Sequence, residues 1–594
     1  MNDSTDLSRR KFLAGSAIAA AGAVGVAGGF QSAQASGTTK GAAGTRGDAG
    51  GPYNILMIVT DQERYLTADE LPAGYRLPGR ERLAQRGVVF ENHQIGSCVC
   101  TPSRAVIYTG QHIQNNGMFD NTNFSWSGSM STEIDTIGDL LRKQGYYTAY
   151  KGKWHLTQEF ETANELHAPK KILVDEMEAY GFSDYFGIGD VIGHTEGGYL
   201  HDDVISAGAR SWLRGQGQAL RDDDKPWFMA VNLINPHDVM YYNTDLPGQS
   251  VQSGSELMHL NREPANALYQ NDWDLALPQS REQGFDDNGR PGAHLNFRNA
   301  RGALCGIVPI QDEALGRLNN YYLNCLRDVD NKLVQILDEL DDLGLAESTI
   351  ILFTADHGEL GGAHGLTGKG ANAYREQNNV PLTIVHPAYA VGKRCKAVTS
   401  HVDIATTLIG LAGGSEAARS GLPGKDISTL LQDPEAAQVD TLREGALYNY
   451  NMIGFVDDAF FTSISNYFAK GGLPAELPNQ GFRPDLSKRG AIRTVYDGRY
   501  KFSRYFSPLQ HHVPKSLEEL YAYNDVELFD VVSDPLEINN LAVDMKLHGD
   551  VIEMMNNKLN RLIEREVGDD AGQMLPRIKG QSWRLDPSFK DLRL

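Results

Sequence analysis

Four stretches of this chain are largely apolar, have the length of one strand, and are followed at once by polar residues. They are residues 54–60, 146–150, 227–233 and 349–354. Short apolar runs of this kind are typical of parallel strands that are buried on both faces. Segments of helical periodicity accompany these strands. The alternation predicts an α/β fold in which helices sandwich a mixed, mostly parallel sheet.

Two of the helices can be located from the sequence. Thr136 and Asp139 form the pattern of a capping box, which starts a short helix. An apolar stripe over residues 315–340 predicts a long helix that ends at Gly344. Cys325 lies on this stripe, so we interpret it as a core residue.

Reactive side chains follow all four strands. In open parallel sheets, ligands bind outside the carboxyl ends of the strands. We therefore expect the residues that follow these strands to meet at one edge of the sheet. They are Asp61, Gln62, Lys153, His155, His237, Asp356 and His357.

A cysteine stands at the start of another helix. In the run CTPSRAVIYTG, which begins at Cys100, Thr101 fits the N-cap and Pro102 fits the first helical position. Cys100 would then face unpaired backbone N–H groups and the positive end of the helix dipole, with Arg104 one turn further along. That environment suits an anion and an activated nucleophile. We interpret Cys98 as a buried structural cysteine.

The pattern Cys-x-Pro-Ser-Arg followed by Thr-Gly resembles the signature of type I, formylglycine-dependent sulfatases, which belong to the alkaline phosphatase superfamily. Other segments resemble landmarks of that family: residues 152–156, 355–360, 364–369, 401–408, 491–502 and 527–541. The resemblance implies an alkaline-phosphatase-like catalytic domain over residues 52–435. It also implies a smaller C-terminal α+β subdomain with an antiparallel sheet over residues 436–594. Residues 160–200 and 238–305 match least well, and we expect substrate-selecting loops there.

The resemblance implies a reaction as well. A cytoplasmic formylglycine-generating enzyme would oxidise Cys100 to formylglycine (3-oxoalanine), whose hydrate attacks the sulfur of a sulfate ester. Arg104 would hold this nucleophile in place, and Lys153 and Lys369 would bind the sulfate oxygens. The substrate would be a small-molecule or saccharide sulfate ester.

Histidines have two kinds of role in this interpretation. His237 is the candidate general acid for the leaving oxygen, a role it could share with Lys369. His155 would take the proton whose loss lets sulfate leave and regenerates the aldehyde. Four other histidines are interpreted as structural or packing residues, and a fifth, His386, has no catalytic context. The four are His93, His112, His364 and His401.

A divalent metal completes the implied site. Asp61, Gln62, Asp356 and His357 would bind it together with modified Cys100. This set is rich in hard oxygen donors, which favours Ca²⁺. One nitrogen ligand and the reduced negative charge leave Mn²⁺ and Zn²⁺ open.

The net charge limits the classes of binding partner, and the number of cysteines limits the number of disulfides. The 594 residues include 55 Lys and Arg against 76 Asp and Glu, a net charge of −21. An acidic chain does not favour nucleic acid or an anionic membrane surface. If one of the five cysteines is modified, four remain, and one or two disulfides stay open.

The N-terminus is typical of an export signal. Residues 1–35 contain a twin-arginine motif, a Gly/Ala-rich apolar stretch and a small-residue cleavage site. They predict export by the twin-arginine translocase to the periplasm or beyond, with residues 36–51 as a flexible leader. The alternative is a membrane anchor, which the many glycines and the cleavage site disfavour. Because this route carries folded proteins, Cys100 would have to be converted in the cytoplasm.

Two rival functions stay open. A phosphonate monoester hydrolase or phosphodiesterase of the same superfamily fits the Asp61–Gln62 and Asp356–His357 pairs, although Lys153 favours the sulfatase form. A two-zinc alkaline phosphatase is disfavoured because its nucleophile context and a second set of metal ligands are not evident. A rival of another class is a non-catalytic sulfate-ester binding protein in which Cys100 stays a thiol.

Overall fold

The computed structural model describes residues 52–572 apart from 125–126, 159–169, 188–194, 254–256, 288, 390, 474–475 and 477–478. The predicted signal peptide and leader, residues 1–51, lie outside the described residues. Among the described helices, none combines the length and the apolar character needed to cross a membrane. All five cysteines are buried free thiols, so the disulfides left open by the sequence do not form.

A large sheet forms the centre of the described residues. Its eight strands lie in the order β4-β3-β5-β1-β6-β7-β2-β8. Strand β7 runs antiparallel to both of its neighbours, and the other pairs are parallel. The strands are β1 Asn54–Asp61, β2 Val88–Gln94, β3 Tyr147–Gly152, β4 Ser183–Phe186, β5 Trp227–Pro236, β6 Thr349–Ala355, β7 Leu382–Val385 and β8 Lys393–Ser400.

The four strands predicted from apolar runs are β1, β3, β5 and β6, and they are neighbours in the order β3-β5-β1-β6. Their registers bring the carboxyl ends together: Gly152 pairs with Asn232, and Thr60 pairs with Ala355. The predicted α/β fold with a mostly parallel sheet is therefore confirmed. The four reactive strand ends lie side by side at one edge.

Helices cover both faces of the sheet. Ile55, Met57 and Val59 of β1 belong to one apolar core, whereas Leu56 and Ile58 belong to the core on the opposite face. This alternation follows from the two-residue period of a strand. The α-helices are Pro78–Arg86, Cys100–Thr109, Ile113–Asn116, Ile137–Arg142, Lys170–Glu178, Gly197–Trp212, Gln218–Asp222, Gly292–Cys305, Asp312–Asp342, Arg375–Asn378, Val402–Leu411, Asp458–Ala469, Leu517–Tyr523 and Met545–Glu566.

Both helix predictions are confirmed. Thr136 accepts hydrogen bonds from the backbone N–H groups of Gly138 and Asp139, and the Asp139 side chain completes the capping box. The long helix runs over Asp312–Asp342, and Cys325 is completely buried on its apolar side.

A second, antiparallel sheet lies in the C-terminal part of the chain. Its order is β12-β11-β10-β9. The strands are β9 Ala446–Tyr450, β10 Ala491–Tyr496, β11 Tyr500–Phe506 and β12 Asn524–Asp530. Helix Met545–Glu566 packs its buried Ile552, Met555 and Leu559 into the same apolar core as this sheet. This is the small α+β unit expected from the sequence; its boundary at residue 436 stays a prediction.

Glu566 ends helix Met545–Glu566 and forms a buried ion pair with Arg443, which we expect to stabilise the fold. Burial opposes the ionisation of Glu566, but Arg443 and His112 outweigh it and lower its pKa from 4.5 to about 2. The ion pair then stabilises the fold above about pH 4.5, and this contribution is lost as the pH falls through about 2. We expect Glu566→Gln to lower the free energy of unfolding by about 3 kcal/mol at pH 7. Urea unfolding at pH 7 and pH 3 measures the difference, which should shrink at the lower pH.

Glu564→Gln is the matched control, because Glu564 is exposed on the same helix. It should leave the urea midpoint unchanged at both pH values. Equal losses for the two variants, or a Glu566→Gln loss that does not depend on pH, would contradict the prediction.

Candidate active site

Four side chains from three elements converge at the strand ends. Asp61 ends β1, Asp356 and His357 follow β6, and Cys100 begins helix Cys100–Thr109, called the Cys100 helix below. One ligand atom from each lies within 4.8 Å of the ligand atoms of the other three. Within this cluster, Cys100 Sγ is 3.2 Å from His357 Nε2 and 3.7 Å from Asp61 Oδ1. All four side chains are buried.

Two cations hold the carboxylates in this arrangement. Arg104 Nε donates to Asp356 Oδ2 at 3.0 Å, and its Nη2 donates to Asp61 Oδ2 at 3.3 Å. Lys153 Nζ also donates to Asp61 Oδ2, at 2.7 Å. The Oδ1 atoms of both carboxylates face His357 Nε2 instead, each at 3.7 Å. Each carboxylate therefore uses one oxygen to bind the protein's cations and directs the other into the cluster.

Burial and the neighbouring charges shift the pKa values of the two carboxylates in opposite directions. Burial opposes the ionisation of Asp61, but Lys153, His237 and Arg104 outweigh it and hold its pKa well below the usual range. Burial and the charge of Asp61 raise the pKa of Asp356. Two carboxylates that repel each other in a buried site form a setting that a divalent cation relieves.

The start of the Cys100 helix corrects one prediction. The helix begins at Cys100 with Val99 at the N-cap, and no side chain of its own caps it. Thr101 is therefore not the N-cap, and Pro102 is not at the first helical position. The Thr101 hydroxyl instead donates to the His155 carbonyl at 2.7 Å, and the Thr101 N–H donates to Asn121 Oδ1 at 3.1 Å. Tertiary contacts have taken over the groups that local capping would have used.

Gln62 lies beside the four-residue cluster. Its backbone N–H donates to Asp356 Oδ1 at 3.1 Å. Its side-chain amide accepts a hydrogen bond from Lys369 Nζ and donates one to Glu359. Gln62 also has a φ of 73°, an uncommon conformation that tends to occur at functional sites. Its role as a metal ligand stays a prediction.

His155 and His237 line one cavity of about 430 Å³ together with Cys100, Lys153 and Lys369. Burial and Lys153 hold the pKa of His155 well below its usual range. Burial and Lys369 do the same to His237. All the predicted catalytic residues except Arg104 thus reach the same cavity, and Arg104 lies behind it against the carboxylates.

Sequence reasoning missed three residues of this region. Asn232 Oδ1 accepts from Arg104 at 3.1 Å; its position in the last residues of a strand was a signal that could have found it. Glu359, which follows His357 by two residues, accepts from the backbone of Gly361 and Gly368 and fixes the loop that carries Lys369. The third is Arg301, a buried cation that also lines the cavity and follows no recognisable motif.

The remaining histidines have structural contacts. His364 stacks on Tyr374 with ring centroids 3.5 Å apart, and His401 is 3.2 Å from Ser103 Oγ on the Cys100 helix. His93 contacts Thr399, His112 contacts Glu566, and His386 packs against Tyr53. These contacts agree with their interpretation as packing and support residues.

The donor set fits a divalent metal ion. Asp61, Asp356 and His357 offer two carboxylate oxygens and one imidazole nitrogen, and a converted Cys100 would add an oxygen in place of Sγ. Hard oxygen donors suit Ca²⁺, and the nitrogen also suits Mn²⁺ or Zn²⁺. A buried cluster of this kind, at the carboxyl end of a parallel sheet, is compatible with the metal centre of an alkaline-phosphatase-like hydrolase.

The family model described as Sulfatase matches residues 53–415. The chain therefore belongs to the sulfatase family, within the alkaline phosphatase superfamily, and is an enzyme of the sulfuric ester hydrolase class. An endo-4-O-sulfatase of Bacteroides thetaiotaomicron is 25% identical over 515 residues, which cover 83% of this chain and 85% of that protein.

Solved structures share the fold. A 2-O GAG sulfatase has a TM-score of 0.61 at 18% identity and covers 87% of this chain and 93% of its own. A phosphonate monoester hydrolase from Silicibacter pomeroyi has a TM-score of 0.58 at 20% identity, with coverages of 86% and 96%. At such identities the likeness concerns the fold.

Proposed function

We propose that this protein is an exported sulfatase that hydrolyses a sulfate ester with a nucleophile made from Cys100. The carrying observation is the cluster of Asp61, Asp356 and His357 around Cys100, with Lys153 and Lys369 at the same cavity. The carboxylates of Asp61 and Asp356 and the sulfate of the substrate are three negative charges in a buried site, and they need compensating positive charge. The two lysines and Arg104 belong to the chain, and a bound divalent ion would supply the rest.

In this proposal the metal lies among Asp61, Gln62, Asp356, His357 and converted Cys100, and it would neutralise charge as a Lewis acid when bound. Ca²⁺ is the proposed ion, with Mn²⁺ or Zn²⁺ as alternatives. Formylglycine at Cys100 would supply a hydrated aldehyde as the oxygen nucleophile.

The chain's own residues then divide the remaining work. Lys153 and Lys369 bind the sulfate oxygens, and Arg104 keeps both carboxylates fixed around the nucleophile. His237 donates a proton to the leaving oxygen, with Lys369 beside it. The negative charge of the bound sulfate ester would raise the pKa of His237 and let it take up this proton first. His155 accepts the proton that must leave position 100 when sulfate is released.

A general acid has a measurable signature. We expect His237→Gln to lower kcat for an alkyl sulfate by about 10²-fold, because an alkoxide leaves poorly without a proton. The same variant should lower kcat for 4-nitrophenyl sulfate much less, since 4-nitrophenolate is already a good leaving group. Steady-state kinetics with both esters measures the ratio. Equal losses on the two esters would contradict the role of His237.

The sulfatase proposal is tested against its nearest rival by one substrate panel. The purified protein should cleave sulfate monoesters faster than a phenyl phosphonate monoester under identical conditions. Metal analysis of the same sample should find one divalent ion per chain. Faster cleavage of the phosphonate would instead support a phosphonate monoester hydrolase, which the shared fold also accommodates.

Maturation and export are part of the proposal. A cytoplasmic formylglycine-generating enzyme would act on Cys100 before the twin-arginine translocase exports the folded protein. Peptide mass analysis of residues 87–104 from protein purified from its own host measures the conversion. An unmodified thiol there would favour the rival in which the chain only binds sulfate esters.

A further inference from the structure

The cavity that leads to Cys100 has walls of a different character from its floor. Its floor carries Cys100, Lys153, His155, His237 and Lys369, whereas apolar side chains from several separate segments form its walls. Six of these side chains are Leu257, Leu304, Met452, Phe455, Phe461 and Ile464. A sulfate bound at the floor would therefore point its alcohol part into an apolar space.

Aromatic contacts hold the walls in place. Phe455 and Phe461 lie with ring centroids 5.6 Å apart, and Phe297 packs against Phe455 at 5.4 Å. Phe461 and Ile464 belong to helix Asp458–Ala469, called the Phe461 helix below, which is inserted between β9 and β10. Packed aromatic walls form the cavity before a ligand arrives, so little ordering is needed on binding.

Few polar side chains line the cavity walls, and at least one of them already forms a hydrogen bond within the protein. Beyond the floor they are Asn121, Asn123, Tyr241 and Arg301 among the described residues. Asn121 already accepts the Thr101 N–H. A sugar brings several hydroxyl groups, and each one loses its hydrogen bonds to water when it enters a space without partners. The walls therefore disfavour a sulfated sugar.

The charges of the lining disfavour a cationic alcohol. Among the described residues, no carboxylate lines the cavity, whereas Arg301 does, and its side chain is only 5% exposed. Arg301 Nη2 donates to the Met240 carbonyl at 3.4 Å, which places this cation beside the Lys369 region, because Lys369 Nζ contacts Met240 Sδ at 3.4 Å. An ammonium group in the alcohol would be repelled by both cations.

We infer that the substrate of this enzyme is the sulfate monoester of an apolar alcohol or phenol, that is, an alkyl or aryl sulfate. This inference rests on the proposed sulfatase function and names its substrate class. It separates this chain from relatives whose names refer to sulfated saccharides. Binding of the apolar part removes water from the cavity and strengthens the contacts of the sulfate with the floor.

A matched pair of esters tests the inference with the enzyme as isolated from its host. Cyclohexylmethyl sulfate and glucose 6-sulfate are both primary sulfates on a carbon attached to a six-membered ring, and they differ in the polarity of that ring. We expect kcat/KM to be roughly 100-fold higher for cyclohexylmethyl sulfate. Equal or higher kcat/KM for glucose 6-sulfate or choline sulfate would overturn the inference and leave the sulfatase function intact. No cleavage of any ester, 4-nitrophenyl sulfate included, would overturn the proposed function and the inference with it.

A pair of variants tests whether the cavity wall causes the preference for cyclohexylmethyl sulfate over glucose 6-sulfate. Phe461→Ala should lower kcat/KM for cyclohexylmethyl sulfate by about tenfold and for glucose 6-sulfate by much less. Phe460→Ala is the control, because Phe460 is equally buried on the same helix but does not line the cavity. It should leave the ratio of the two kcat/KM values unchanged. Melting temperatures separate a loss of fold from a loss of recognition, and an unchanged ratio in folded Phe461→Ala would contradict the assignment.

Discussion

Replacement of Cys100 by alanine is expected to abolish sulfate ester hydrolysis, with kcat lowered on the order of 10⁴- to 10⁶-fold. The reason is chemical. In the proposed mechanism alanine cannot be converted to formylglycine, and the other side chains of the cluster are proposed metal ligands or cations that cannot replace a covalent nucleophile. Cys100 is 2% exposed, and its Sγ makes hydrogen-bond contacts with Asp61 and His357. The ion pairs of Arg104 and Lys153 with the carboxylates do not include Cys100, so its removal leaves them in place. Turnover of 4-nitrophenyl sulfate measures the loss.

Cys395→Ala is the matched control for this experiment. Cys395 is also completely buried, but it lies in β8, away from the reactive strand ends. Its loss should lower the melting temperature and leave kcat within about twofold of the parent. Residual activity of Cys100→Ala above a few per cent would show that another group performs the reaction.

Replacement of Asp61 by asparagine is expected to remove the metal and to lower kcat/KM by roughly 10³-fold. Asp61 is the cluster carboxylate that is bound by two cations, because Oδ2 binds Lys153 and Arg104 while Oδ1 faces the cluster. Asparagine keeps the shape but leaves the two buried cations with less compensating charge. Metal content by elemental analysis and kcat/KM on one sulfate ester measure the two effects together.

Asp403→Asn is the control for a buried aspartate. Asp403 pairs with buried Arg443 at 2.7 Å, so its replacement should destabilise the fold by about 3–5 kcal/mol, as breaking a buried ion pair does. It should leave the metal content and kcat/KM unchanged. If Asp61→Asn keeps its metal, the proposed ligand set is wrong, even if activity is lost.

The order of the strands explains why so much of the site could be predicted. Apolar runs identify β1, β3, β5 and β6, since buried parallel strands need no polar face. Ligands bind at carboxyl strand ends, so Asp61, Lys153, His237 and Asp356 could be grouped without coordinates. The Cys100 motif could be recognised because its residue types follow one another directly in the chain.

The hydrogen-bond partners of the site residues could not be predicted from the sequence. Arg104 hydrogen-bonds to Asp61, Asp356, Asn232 and the Lys153 carbonyl, and the sequence indicates none of these partners. Its expected role in holding the nucleophile stays a prediction. Residues far apart in the chain supply these partners, and no local pattern encodes their distances. The Thr101 cap failed for the same reason, because the Thr101 hydroxyl binds the His155 carbonyl and the Thr122 N–H instead of a backbone N–H of its own helix.

The residues that form the cavity walls could be predicted only in part. We expected substrate-selecting loops within 160–200 and 238–305, and the second range does supply Leu257, Arg301 and Leu304. The Phe461 helix was missed, because its apolar residues have the spacing of ordinary core positions. In the folded structure, helix Gly292–Cys305 packs against it, and Phe461 and Ile464 line the cavity.

The sequence by itself determined the fold class, the edge of the sheet where the site lies, and the residue types that meet there. Each of these follows from local signals: hydrophobic period, strand length and a contiguous motif. Only the tertiary structure decided which carboxylate oxygens face the cluster, which cations fix them, and which apolar side chains surround the approach to Cys100. These are relations between side chains distant in sequence, and their energies depend on burial and distance, which exist only once the chain has folded.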